Sequence, residues 1–246
     1  MASAWKDREL KRREEEILVV ARKIMLEQGY FGMTMDRIAA GIEYSKGTLY
    51  QHFGSKEDVL SAIAIQTEAK RMEYFERASK FAGNPRERMT SIGVAYELYY
   101  RLHPAYSQTE QLIHQQDVFA KISEERRAQI LQNAVCCHAI MDEIIEDGVS
   151  SGDVDLPDWC PPATLGFLLW SLTSGGFANL ASREALEAMG ISNGLEAIRL
   201  SCQTFLDGFG WKPLTKNHDY LAVGRRVCTE IFPEETAEAV LQPATA

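Results

Sequence analysis

An all-α fold follows from three observations on this 246-residue sequence. Apolar residues recur at three- and four-residue spacing along most of the chain, the period of an amphipathic helix. Helix-capping residues, and the Gly and Pro that end helices, punctuate those runs at helical lengths. No period-2 alternation, hairpin signal or internal repeat competes with them.

Leu10, Ile17, Leu18, Ala21, Ile24 and Met25 predict a first helix over about residues 8–28. Gly29 stands where a left-handed C-cap ends it. Thr34 is the N-cap of a short second helix carrying Ile38 and Ala39, and Ser45 caps a third over about 46–52. Ser55 opens a long fourth helix, with Asp58 three residues on as a capping-box acid. Gly83-Asn84-Pro85 is a break, and Pro85 suits the first turn of a helix that ends before Pro104. Another helix is expected to about residue 119. A long one over 123–147 is expected to close at Gly148 and the stretch Ser150-Ser151-Gly152-Asp153. Pro157 and Pro161-Pro162 lead into an apolar helix over 163–181, and a last core helix covers 195–209. About nine helices are expected in all. After Pro213 the expectation is a polar extension with one helix near 219–231 and a loose tail from Pro233. The domains read as a helix-turn-helix head over 1–54, a larger helical body over 55–212 and a C-terminal extension over 213–246.

Composition narrows the function classes. The chain is 25% charged and 46% hydrophobic, an ordinary globular balance, with a net charge of −9. Ten basic and ten acidic groups fall within residues 1–60, so that part is neutral and the rest carries the whole charge. An acidic body disfavours wrapping nucleic acid over the full surface, while a neutral head with local basic clusters can touch it. The five cysteines form no C-x-x-C pair, which argues against a disulfide scaffold and for a reducing compartment. No apolar run reaches the length of a membrane span, and the charged N-terminus lacks the apolar centre of a signal peptide. A soluble cytoplasmic protein without membrane contact is expected.

The chemistry concentrates in the two short helices, which form the physical unit of a helix-turn-helix. Leu49 and Phe53 are four apart and face Ile38 and Ala39. Lys46, Thr48, Tyr50, Gln51 and His52 then distribute over the other sides, and Gly47 removes a side chain where a backbone can approach a phosphate. Such a face suits a major groove, though spacing alone leaves a merely solvated helix as an equal alternative.

The stretch TMDRIAAGIEYSKGTLYQHFGSKEDVL resembles the DNA-binding head of the TetR family of bacterial transcriptional regulators. The resemblance covers about residues 17–60, including LEQGY and SKGTLYQHF. It implies that Thr48, Tyr50 and His52 contact DNA and that Ser45, Lys46 and Gly47 open the recognition helix beside it. Lys56 matches a lysine that grips a phosphate together with amides of the fourth helix, and Thr34 an N-cap that also bonds phosphate. The bland alternatives are a partly core Tyr50, a Thr34 that only caps and a His52 that touches phosphate alone. One departure stands out: Ile42-Glu43-Tyr44 occupies the turn where the family places Ala-Gly-Val. A non-Gly residue in a left-handed turn costs roughly 1 kcal/mol, so an altered end to the second helix is expected. The basic window over residues 5–13 reads equally as a phosphate-neutralising arm or a solvated helix start.

One recognition helix reads too few base pairs, so a homodimer on a palindromic double-stranded operator is expected. The resemblance places its contact on the two apolar C-terminal helices, here Leu168, Leu172, Gly175, Gly176, Leu195, Ile198, Cys202 and Phe205; a plain internal core is the alternative. Tyr96, Tyr99, Tyr100 and His103 share one helix face and, with His114, Phe119, Phe167 and Trp170, are candidates to line a pocket. The resemblance implies a partly apolar small-molecule effector there. No G-x-S-x-G, H-E-x-x-H or G-x-G-x-x-G motif is present, so no catalytic residue and no cofactor is expected. Cys136-Cys137, His138 and Asp142 could form a metal cluster, but buried thiols and a surface His are the stronger reading, so no metal is assigned. The sequence therefore reads as a ligand-released repressor. An activator or partner-controlled regulator of the same architecture, or a helical enzyme or binding protein with a vestigial head, are the rivals.

Overall fold

The computed structural model describes residues 2–113, 115–180 and 183–241. Every regular element among them is helical. The first seven are α1 (Ala2–Gly32), α2 (Met35–Gly41), α3 (Lys46–His52), α4 (Lys56–Ser79), α5 (Pro85–Leu102), α6 (Pro104–Ile113) and α7 (Gln116–Phe119). There follow α8 (Glu124–Ser150), α9 (Pro162–Leu180), α10 (Arg183–Ala188), α11 (Gly194–Gly208), a 3-10 turn (Thr215–Asn217), α12 (Tyr220–Glu230) and α13 (Pro233–Leu241). No helix among the described residues is long and apolar enough to cross a membrane.

The chain forms two compact units: residues up to Ala69 with His103–Asn133, and Lys70–Leu102 with the chain from Ala134 onward. The first is built on the head. Ile17, Leu18, Ala21 and Met25 of α1 meet Ile38, Leu49 and Phe53 in one buried cluster. Val59, Leu60 and Ile63 of α4 join it, as do Ile113, Val118, Ile122 and Ile130. A head of some fifty residues buries little apolar surface by itself, so these later residues complete its core.

Local signals act as their chemistry requires. Thr34 Oγ1 accepts from the Arg37 amide at 3.3 Å, and Ser45 Oγ from the Thr48 amide at 3.1 Å. Ser55 Oγ accepts from the Asp58 amide at 3.1 Å. The Asp58 carboxylate reaches back to the Gly54 amide at 3.2 Å, one residue beyond the Ser55 amide a capping box would use. Gly29, at φ 68°, interrupts the helical path of α1 before its last turn. That backbone is one glycine adopts without a Cβ clash.

In the second unit α9 packs on α11, and α5 packs on both α12 and α13. Here three expectations are corrected. The helix expected to close at Gly148 runs on to Ser150, and the left-handed residue is Gly152, at φ 74°. Gly148 serves a close approach instead: a Cβ there would lie 2.8 Å from Cζ2 of Trp211. A Gly148→Ala variant is therefore expected to lose about 1–3 kcal/mol of stability by overpacking, read from its urea midpoint. The helix expected to reach residue 119 is broken into α6 and α7, and α10 was not anticipated. The tail expected to be loose is helical through Leu241, with Pro233 in its first turn and Glu234 and Glu235 beside the helix N-terminus.

The extension and the segment leading into it are held by buried groups. Trp211, Tyr220, Val223, Val227, Phe232 and Ala239 all lie in the core. Arg86, fully buried on α5, donates to the Trp211 carbonyl and pairs with Asp207 at 2.7 Å. Phe232 stacks on Tyr74 at 5.4 Å, and Arg77 binds the Glu235 carboxylate and the Ile231 carbonyl. A charged composition concealed this burial, because Tyr220, Val223 and Val227 make a narrow stripe on one face of α12.

Candidate nucleic-acid interface and ligand cavity

The outward face of α3 is set by what its inward face buries. Leu49 and Phe53 are 0% exposed. Their burial fixes the helix rotation and turns Lys46 and the 47%-exposed Tyr50 outward. Gln51 is exposed with them, whereas Thr48 and His52 are half-buried. The Thr48 hydroxyl lies 3.0 Å from Ser45 Oγ, so its outer lone pairs and the methyl remain for a partner. Gly47 stands in the open, where a Cβ would meet only Ser45 Oγ, at 3.6 Å.

Lys46 is ion-paired with Asp36 of α2, which raises the lysine pKa. A phosphate approaching Lys46 competes with that carboxylate. Lys56 opens α4 with its ammonium 4.0 Å from the centre of the Tyr30 ring, a cation–π contact that holds it beside the helix N-terminus. Thr34 is exposed at the head of α2. Two neighbours escaped the sequence reading: Asp36 as the partner of Lys46, and Phe31, 90% exposed with the Lys56 ammonium 6.0 Å from its ring. Phe31 carried a signal, an aromatic placed just past the break at Gly29.

The unusual turn carries no left-handed residue. Ile42 is extended, at φ −111° and ψ 156°, and among the described residues no non-Gly has positive φ. The expected strain is thus absent. Tyr44 anchors the turn to α1: its hydroxyl donates to the Glu16 carboxylate and its ring lies 5.3 Å from the Arg13 guanidinium. The basic N-terminal window is helical, not a free arm. Arg12 and Arg13 both bind Glu9, holding its carboxyl down at about 2.

The second unit contains a cavity of about 1190 Å³. Of the expected pocket residues, Tyr96 and Trp170 line it. Tyr99 is fully buried between Tyr74 and Tyr96, each 6.1 Å away. The Tyr100 hydroxyl donates to the Phe177 carbonyl at 3.0 Å, and Phe167 is exposed on α9. His103 and Phe119 fall in the first unit, where Phe119 packs on the head core. His114 lies outside the described residues. The sequence reading missed Glu97 and Arg199, which meet on the cavity wall through two hydrogen bonds of 2.7 Å. They are 102 residues apart, and no local pattern links them.

The residues expected at a subunit contact divide. Gly176 lets α11 approach α9 within one chain, since a Cβ there would lie 2.7 Å from Ile198 Cγ1. Leu195, Ile198 and Cys202 line the cavity, and burial pushes the Cys202 thiol up to about 11. Leu168, Leu172 and Phe205 are half-buried, and Gly175 is exposed. Exposed Phe167 and Leu200 leave each of these two helices an apolar outer surface. Burial lowers the pKa of His138 and raises that of Asp142. Among the described residues no three His, Cys, Asp or Glu side chains are grouped to hold a metal.

Residues 17–63 match the family described as bacterial regulatory proteins, tetR family. The chain is 27% identical over 188 residues to the HTH-type transcriptional regulator UidR of Escherichia coli, a match covering 74% of this chain and 88% of that protein. It is 37% identical over 65 residues to the HTH-type transcriptional repressor AcnR of Corynebacterium diphtheriae. That match covers 26% of this chain and spans about a third (34%) of the relative's length. A solved bacterial regulatory protein of the tetR family from Rhodococcus RHA1 superposes with a TM-score of 0.63 at 21% identity. It covers 80% of this chain and 97% of its own, and it supports the fold alone.

Proposed function

We propose, from the premise that this chain belongs to the TetR family of bacterial regulatory proteins, that it is a cytoplasmic transcriptional repressor released by a small effector. The observation that carries the reading is α3, whose buried Leu49 and Phe53 leave Lys46 and Tyr50 facing out with Thr48 half-exposed beside them. A helix so presented inserts into a major groove, where these side chains meet base edges and phosphates. Thr34 and Ser45 position their helices, His52 and Lys56 reach the phosphate backbone, and Gly47 admits it closely. Lys46 exchanges Asp36 for the nucleic acid.

Two heads, about 34–36 Å apart on a two-fold axis, read a palindrome. The outer surfaces of α9 and α11 are the proposed contact between copies. A repressor on such a site excludes polymerase from the promoter. An effector in the cavity weakens DNA binding only as far as it prefers the non-binding state of the dimer. No catalytic step is assigned to any residue.

Selecting bound sequences from random duplexes tests the reading. The expected product is a palindrome whose half-sites are separated by about one helical turn. Recovery of no preferred sequence at low ionic strength overturns it.

A further inference from the structure

The cavity has a wall that the expected pocket did not include. Besides α5, α9 and α11 it is lined by α12 and α13, through Tyr220, Gly224 and Val240 among others. Its interior is largely apolar, with Phe75, Met141, Leu169, Trp170 and Phe177 on the lining. At about 1190 Å³ it exceeds the roughly 300–1,000 Å³ of ordinary small-molecule sites. A sizeable apolar body fits such a space better than a small polar one.

One polar patch breaks the apolar lining. Glu97 of α5 is 9% exposed and accepts from Nε and an Nη of Arg199 on α11, both at 2.7 Å. Arg101, one turn further along α5, brings a guanidinium nitrogen to 3.9 Å from the same carboxylate. Its other arm donates to the Ala239 carbonyl of α13 at 2.6 Å. Two guanidinium groups thus share one carboxylate, which leaves one positive charge in excess. The rest of the lining is balanced, Lys216 and Arg225 against Glu196 and Asp219, so the excess of the patch is the excess of the whole lining. Among the described residues, the cationic Arg101, Arg199, Lys216 and Arg225 outnumber the acidic Glu97, Glu196 and Asp219. The chain beyond residue 60 carries the entire −9, so a positive lining there runs against its surroundings and attracts an anion.

We infer that the effector is an amphipathic anion, an apolar chain ending in a carboxylate or similar group that bridges Arg199 and Arg101. This rests on the reading of the cavity as the effector site. Guanidinium groups bind carboxylates through paired, parallel hydrogen bonds, which suits a head group seated between the two arginines. The apolar chain then lies along α9 and the inner face of α12 and α13. Arg101 also ties α13 to α5, so the anion competes for a group that holds the C-terminal extension in place. The extension is therefore part of the effector site.

Three probes with the same ten-carbon chain test this on the full chain: decanoate, decanol and decyltrimethylammonium. Binding is followed by the shift in melting temperature and by quenching of tryptophan fluorescence, since Trp170 lines the cavity. Decanoate is expected to bind at least tenfold more tightly than the other two. Arg199→Gln is expected to weaken decanoate at least tenfold. Glu97→Gln, which removes the competing carboxylate, is expected to tighten it several-fold, so that a poorly folded arginine variant does not decide the outcome. Equal binding of decanol and decanoate, tighter binding of the cation, or weaker decanoate binding in Glu97→Gln overturns the anion assignment and leaves the cavity as the effector site. Binding of none of the three overturns the cavity as the effector site and the anion assignment with it.

Discussion

A Lys46→Ala, Tyr50→Ala double variant loses at least about a hundredfold in operator affinity while keeping the denaturation midpoint of the parent. Neither side chain supports the core. Lys46 is exposed and its partner is the exposed carboxylate of Asp36, and Tyr50 stands outside the cluster that Leu49 and Phe53 join. Removing them takes away one cation and one large hydrogen-bonding surface and leaves the orientation of α3 intact. The slope of log affinity against log salt should fall by about 1 for the lost phosphate contact. Fluorescence anisotropy on the selected palindrome at several salt concentrations reads both quantities. Affinity within a factor of three of the parent would show that α3 does not read the DNA.

The largest stability loss is expected at Trp211, outside both candidate sites. Its side chain is fully buried and its ring covers Gly148 of α8. Its carbonyl accepts from the buried Arg86, which also pairs with Asp207. Trp211→Ala removes the ring and leaves a cavity against Gly148, at a cost of about 3–5 kcal/mol. Guanidinium unfolding with circular dichroism measures it. A loss below about 1 kcal/mol would mean that the segment leading into the C-terminal extension is not part of the core of its unit.

What the sequence shows of this chain, and what it hides, divides by the distance between partners. The helix starts at Thr34, Ser45 and Ser55 were legible because each depends on a side chain bonding an amide three residues away. The break at Gly29 was legible for a related reason, since one backbone angle decides it. The turn at Ile42-Glu43-Tyr44 is extended at Ile42 and not left-handed, and what anchors it, the acceptor of the Tyr44 hydroxyl on Glu16, lies 28 residues away. Gly148 was misread as a helix stop for the same reason: its neighbour is a ring from residue 211. Of the aromatic stripe on α5, Tyr96 reaches the cavity while Tyr99 sits in the packed core, and helical spacing cannot separate the two.

From its own order of residues this chain determined an all-helical fold, the limits of its short N-terminal helices and which side of α3 turns inward, because these depend on neighbours within about one helical turn. The meeting of Glu97 with Arg199, the burial of Trp211 against Gly148 and the use of α12 and α13 as a cavity wall were decided only by the tertiary structure. Those arrangements join groups tens to more than a hundred residues apart, and it is packing, not local preference, that brings such groups together.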